Sequence, residues 1–426
     1  MRIVHYDSAA AEWRAYTPLV VTAMAGVALS ATLTFTLGVM MPSIEAEFGW
    51  TRAQISTGPM LVSFAGLLLA TAAGYVIDRI GARKVGIVVA ITMSSVIALM
   101  STMTDNLWHW WIIWGIFALA ATATSTVWLA PISSVFVKSR GLALAVTLTG
   151  TGIASGLAPV FCYYFIENYD WRTGYLVLGL VLGAITIPLV LLFWRGAEEF
   201  GRQSEDGQGE ETRGQAPAPE TLPGMTVREG FTSANFYKLF AGYVISSVAG
   251  IAIILNLVPV LISTGISAGQ AAAVAGAHGL SSIAGRFIGG GAMDRFGAKP
   301  MIIVATLGAA ALPLGLLLSP GSVAVAVAAV TINAFMGGMK MPAIVYLISR
   351  YFGPRSFGTL FGTISISSSV GVGIGPLIAN HIYDVTHSYT LVLWVATPAV
   401  LVAAALYALL GRYPDFSAPK PTDNEG

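Results

Sequence analysis

The sequence predicts an all-α membrane protein of twelve transmembrane helices, in two pseudo-symmetric six-helix halves with both termini cytoplasmic. Three observations carry this: composition, the number of apolar runs, and the placement of lysine and arginine. Of 426 residues, 55% are hydrophobic and 10% charged, whereas soluble domains carry about 25% charged residues. A bilayer core takes ~20 apolar residues per helix, and twelve such runs fall near 17–44, 54–77, 84–104, 108–137, 140–165, 172–194, 237–262, 270–293, 299–318, 321–349, 356–381 and 388–411. The apolar run after the polar first residues is too long for a signal-peptide core and reads as a retained first span.

Between the sixth and seventh spans lies EEFGRQSEDGQGEETRGQAPAPETLPG, whose Glu, Gly, Gln and Pro cannot build a core. The organisation is therefore a half over 1–194, a cytoplasmic linker over 195–236, a second half over 237–411 and a cytoplasmic tail over 412–426. With the N-terminus inside, eighteen of the 22 Lys and Arg fall on the cytoplasmic side, and only Arg52 and Arg172 fall outside. Arg286 and Lys340 remain within the membrane.

Net charge is +1, so no basic field points to nucleic acid. The single cysteine, Cys162, excludes an intrachain disulfide and a cysteine-based metal cluster. No cofactor or metal is implied.

The halves repeat. GYVIDRIGARK from Gly74 recurs as GGAMDRFGAKP from Gly290, and SRGLALAVTLTGTGIASGLAP from Ser139 is echoed by PRSFGTLFGTISISSSVGVGIGP from Pro354. Duplicated six-helix halves are a transporter architecture with its site near the midplane. The two Gly-x-x-x-Asp-Arg-x-Gly loops resemble the signature of the major facilitator superfamily. EFGWTRAQIS, RYFGPRSFGTLFG and GPLIANHIYDVTHSYT resemble the monocarboxylate and oxalate/formate porters within it. The first loop departs from the pattern at Ala82, where a third basic residue is usual. The resemblance implies that Asp78 and Asp294, with Arg79 and Arg295, form a cytoplasmic gate between the halves. It also implies that Arg286, on span eight, binds a substrate carboxylate. The acid usual four positions earlier is Ser282 here, and Lys340 lies on span ten where the oxalate-type porters have a lysine on span eleven.

The residues lead to the same place independently. An arginine at the centre of a span costs roughly 2.5–3.5 kcal/mol on the mild insertion scale, so it needs a partner. Arg286 lies eight residues before Asp294 and Lys340 ten before Arg350, which puts them about 12 and 15 Å from their cytoplasmic ends. All 21 Asp and Glu fall in loops, tails or helix ends, so an organic anion from outside is the natural counter-charge. Arginine supplies the fork that fits a carboxylate, lysine a mobile second contact. The alternative for Arg286 is a structural cation on backbone carbonyls; for Lys340 it is an interface lysine in a packed helix kinked at Pro342.

His278 stands two turns from Arg286 with Ser282 between them on one face. It is either the protonation site that couples transport to protons or a hydrogen-bonded packing histidine. Asn333, Gly337 and Lys340 share a face of span ten; Thr124 and Trp128 are one turn apart on span four; Asn256 precedes Pro259; Tyr346 follows Pro342. Each is a candidate lining residue or an interhelical packing contact.

The expectation is a monomeric multi-pass transporter in the cytoplasmic membrane, not an enzyme. It moves a small carboxylate by alternating access, as proton symport or anion exchange. A dicarboxylate (oxalate-like) antiporter is the nearest variant. A drug or cation exporter would use an intramembrane acid, and a substrate sensor would carry an output domain; the sequence has neither.

Overall fold

The computed structural model describes residues 8–136, 138–195, 224–353, 355–414 and 416, with backbone alone at 70, 71, 78, 290 and 294. Among them the regular structure is helical, without strands. The first half comprises α1 (Ala9–Phe48), α2 (Arg52–Ile80), α3 (Ala82–Leu99, extended by a 3-10 turn to Thr102), α4 (Leu107–Thr122), α5 (Thr124–Val135), α6 (Arg140–Asn168) and α7 (Trp171–Phe193). After the short α8 (Val227–Thr232) come α9 (Ala234–Ile254), α10 (Leu257–Ser263), α11 (Ala268–Phe296), α12 (Ala298–Ala309), α13 (Ala311–Leu318), α14 (Val323–Phe352), α15 (Phe357–Thr386) and α16 (Thr390–Ala408). Ten helical stretches are long and apolar enough to cross a membrane, and α2 and α11, 29 residues each, pack among them.

Three of the expected spans are broken rods. The fourth is α4 and α5, interrupted at Ala123; the seventh is α9 and α10, interrupted at Leu255 and Asn256; the ninth is α12 and α13, interrupted at Ala310. The first span is longer than expected. Ser8 caps it by accepting from the Ala11 amide at 3.3 Å, and the buried Glu12 carboxylate accepts from the Lys138 and Ser139 amides at 2.9 and 3.1 Å, tying α1 to the start of α6. Pro342 lies inside a continuous α14.

The repeated loops have matching backbones. Gly81 and Gly297 end α2 and α11 at φ of 93° and 81°, a region that glycine enters without a steric penalty. In each half a basic side chain then reaches the end of that half's last helix: Arg83 donates to the Leu191 carbonyl at 3.3 Å, and Lys299 donates to the Leu410 carbonyl.

The halves meet along two main seams, α2 against α15 and α6 against α11, with α1 touching α10. Glycine makes the second seam close. A Cβ on Gly279 would lie 2.2 Å from the Gly152 carbonyl oxygen and 2.6 Å from the Gly156 Cα. Gly371 and Gly375 give α15 the same closeness to α9, while Gly373 faces Ser63 of α2.

At the end remote from the termini, Arg172 pairs with Glu47 at 2.6 Å. The Glu47 carboxylate also accepts from the Trp171 indole N–H at 2.6 Å. The Thr173 amide, which Asp170 caps at 2.7 Å, holds the Asp170 carboxyl below its ordinary value.

Because the α6–α11 seam is backbone against backbone, Gly279→Val should destabilise the folded protein by about 1–3 kcal/mol through overpacking. A lower thermal midpoint in detergent would register this; an unchanged midpoint would mean that the seam opens at no cost.

Candidate functional site

Arg286 projects from α11 across the seam. Its guanidinium donates to the Leu148 carbonyl of α6 and to Thr151 Oγ1, the latter at 3.3 Å. It is half-buried, and the ion pairs of the described residues, Arg52–Glu45 and Arg172–Glu47, do not include it. Its positive charge is therefore held by a carbonyl dipole and a hydroxyl, without a carboxylate among the described residues. On the opposite side of α11, Gly338 of α14 lies against the Ser282 carbonyl and the Arg286 amide. The Ser282 hydroxyl bonds back to the Gly279 carbonyl at 2.9 Å.

His278 is buried, 8% exposed. It borders a water-sized cavity of ≈20 Å³ where α1, α6, α10 and α11 converge, with Gly38, Ser155, Pro159 and Leu257 among its neighbours. Arg286 does not line that cavity.

Lys340 lies elsewhere. With Asn333 and Gly337 it lines a cavity of ≈180 Å³ formed wholly by the second half, together with Tyr243, Ser247 and Ser368. Asn333 is fixed by donating to the Ala309 carbonyl at 2.8 Å. The spacing of these three residues on one face of α14 is thus realised in one cavity, but Arg286 is not part of it.

The remaining candidates are dispersed. Thr124 Oγ1 donates to Ser30 at 3.1 Å, between α5 and α1. Trp128 is fully buried, its ring on Gly26 and 5.0 Å from that of Trp194. Tyr346 is 38% exposed. The Arg79 guanidinium lies over Tyr75 at 4.7 Å and that of Arg295 over Phe296 at 5.5 Å, each on its own helix. The Asp78 and Asp294 side chains lie outside the described residues.

Asn256 leads to a cluster that sequence reasoning missed. Its Oδ1 accepts from Asn380 at 3.0 Å; Asn380 also donates to Ser56 at 2.5 Å and accepts from the Tyr389 hydroxyl at 2.6 Å. Tyr389 accepts from Arg52 at 3.2 Å, and Arg52 pairs with Glu45 at 2.9 Å and lies 3.6 Å over the Tyr383 ring. Beside them the Asp384 carboxylate accepts from the Arg52 and Ala53 amides at 2.9 and 2.8 Å. A C-terminal residue of α15 in the second half thereby caps the N-terminus of α2 in the first. Two signals were available: Arg52 is one of only two Lys or Arg residues on that side, and the segments EFGWTRAQIS and GPLIANHIYDVTHSYT together hold Arg52, Ser56, Asn380, Tyr383, Asp384 and Tyr389.

The cross-half hydrogen bonds among the described residues run from Arg286 outward to this cluster. Among the described residues, the hydrogen bonds that latch the two halves are thus those at Arg286 and at the end remote from the start of α1. Asp384→Ala removes two charge-assisted bonds, each worth about 1.5–3 kcal/mol, and should loosen the closure. A cysteine introduced at Ser56 should then react at least several-fold faster with a membrane-impermeant thiol reagent; an unchanged rate would show that the cap does not hold the halves together.

Against this geometry the similarities fall into place. The Major Facilitator Superfamily profile matches residues 23–262 and 239–426. The chain is 25% identical over 380 residues to a gallate transporter of Pseudomonas putida, covering 80% of this chain and 83% of the relative. It is 24% identical over 347 residues to monocarboxylate transporter 12 of Mus musculus, covering 76% and 70%. It is 23% identical over 388 residues to the probable nitrate/nitrite transporter NarK2 of Mycobacterium tuberculosis, covering 89% and 92%. Among solved structures, an inward-facing, occupied bacterial homologue of the human lysosomal transporter Spinster superposes with a TM-score of 0.63 at 16% identity, covering 93% of this chain and 97% of that one. These relatives are transporters rather than enzymes, and the fold is a multi-pass helical one. The chain belongs to the Major Facilitator Superfamily.

Proposed function

We propose that the protein is a secondary active transporter of a small organic anion, a monocarboxylate foremost, across the cytoplasmic membrane by alternating access. The observation that carries this is Arg286: a guanidinium near the midplane, on the seam between the halves, with no carboxylate partner among the described residues. The Leu148 carbonyl and Thr151 hold it across the seam. A substrate carboxylate is a stronger, bidentate acceptor, so binding exchanges a dipole for a full counter-charge. The names of the relatives, gallate, monocarboxylate and nitrate/nitrite transporters, are all those of anion carriers and support the same reading.

In this reading α2 and α11 are the second and eighth of twelve crossings, and the termini are cytoplasmic. The latched end is then the outer one. Transport requires the outer cluster to separate while a cytoplasmic contact forms, a role that the resemblance of the two repeated loops assigns to Asp78/Arg79 and Asp294/Arg295. A ligand drives this exchange only through its difference in affinity for the two forms. Coupling is either to a proton, carried by His278 or by the substrate, or to exchange for another anion. The proposed functional unit is the monomer. Lys340 lies two residues, or about 200° of helix, from the Gly338 face that touches α11, so a dicarboxylate bridging it to Arg286 is not the reading adopted.

Purified protein in liposomes should take up a radiolabelled monocarboxylate such as benzoate or lactate, and Arg286→Ala should reduce saturable uptake by at least tenfold. A pH gradient or internal anion then separates symport from exchange, with His278→Ala compared under both. Normal uptake by Arg286→Ala, or no uptake of any carboxylate, would return Arg286 to a structural role.

A further inference from the structure

We infer that the cavity around Lys340 is a second anion-binding site, confined to the C-terminal half and separate from the one at Arg286. Four observations lead there. The cavity is ≈180 Å³, many times the ~10–15 Å³ that one water needs. Its lining comes from α9, α12, α13, α14, α15 and α16, with nothing contributed by the first half or by α11. Lys340 is the sole charged residue of that lining. None of the hydrogen bonds or ion pairs of the described residues involves its ammonium group.

The surroundings determine what can neutralise the ammonium group. α9, α12, α13, α14 and α16 carry no Asp or Glu, and α15 has only Asp384, sixteen residues or about 24 Å beyond the Ser368 that lines the cavity. Asp384 is already engaged by the α2 amides. The other polar groups are neutral: Tyr243, hydrogen-bonded to Ser368 at 2.9 Å and 3.5 Å from Met341 Sδ; Ser246, which donates to the Tyr243 carbonyl at 3.3 Å; Ser247; and Asn333. Hydroxyl groups beside a single ammonium can donate to a small oxyanion. The remaining wall, including Ile251, Ile254, Leu312, Pro313 and Val400, restricts the occupant to a compact monoanion such as nitrate or formate, with any apolar part small.

The site is independent of the transport reading, since it needs nothing from Arg286. Occupancy there would set the charge of the C-terminal half alone, leaving the seam free to bind or release its own ligand.

Thermal unfolding of the full-length purified protein tests this. Nitrate or formate is added to sodium gluconate at constant ionic strength, for wild type, Arg286→Gln, and Arg286→Gln combined with Lys340→Gln or with Lys340→Arg. A ligand that binds only the folded state raises the midpoint saturably. Arg286→Gln should keep a saturable rise, adding Lys340→Gln should abolish it, and adding Lys340→Arg should retain it with altered affinity. Three results would overturn the inference: no saturable rise in Arg286→Gln, an equal rise once Lys340→Gln is added to it, or a response to sodium gluconate matching that to nitrate and formate. The first and third do not depend on Lys340→Gln folding. Loss of carboxylate uptake by Arg286→Ala with no anion effect in Arg286→Gln would leave the transport reading standing and remove this site.

Discussion

The carboxylate of Asp384 on the backbone amides of Arg52 and Ala53 is the contact on which the arrangement of the two halves depends. A helix N-terminus carries partial positive charge and unpaired amides, and here both are answered by a residue 332 positions away in the other half. Around that cap, Arg52 binds Glu45 on its own half and Tyr389 on the other, while Asn380 joins Ser56 to Asn256. The cluster is built from short polar contacts rather than from an interdigitated apolar core. In the transport cycle proposed above, such contacts would be exchanged for water as the halves part, which an apolar core could not do without a large exposed surface.

The same constraint explains where charge is tolerated. The two basic residues on the far side, Arg52 and Arg172, each have an acid, Glu45 and Glu47, at salt-bridge distance. Near the terminus-bearing end, basic groups instead complete helix ends: Lys238 donates to the Leu409 carbonyl at 2.7 Å and Lys299 to that of Leu410. Arg286 and Lys340 follow neither pattern. One is held by a carbonyl and a hydroxyl across the seam, and the other lines a cavity.

Much of this was legible in the sequence because it rests on local rules. Apolar run length gave the long helices, and the repeated loops carried the positive-φ glycines at Gly81 and Gly297. Gly152 and Gly156 lie in the repeated stretch that begins at Ser139, but only the structure identifies Gly279 as the residue packed against them. The break at Ala123 had no proline or charge beside it to announce it, whereas the one at Ala310 precedes Pro313, which has no N–H to give the Ala309 carbonyl and leaves it to Asn333. For Trp128 the polar tip suggested a lining residue, whereas the ring's fit over Gly26 joins residues about a hundred positions apart. Likewise, spacing on one helix placed Arg286 and Lys340 at one depth, but could not tell that their helices turn them to different sides.

The two halves differ in one respect that the repeat conceals. Of the ten tryptophans, all but Trp394 belong to the first half, and Trp110, Trp114, Trp128 and Trp194 are fully buried there in contact with other rings. The second half instead holds the ≈180 Å³ cavity beside Lys340. Close-packed interiors are stiff, and voids are where they yield. In mechanical terms the duplicated halves make an unequal pair: an anvil of indoles wedged edge to face, and a partner with room to give.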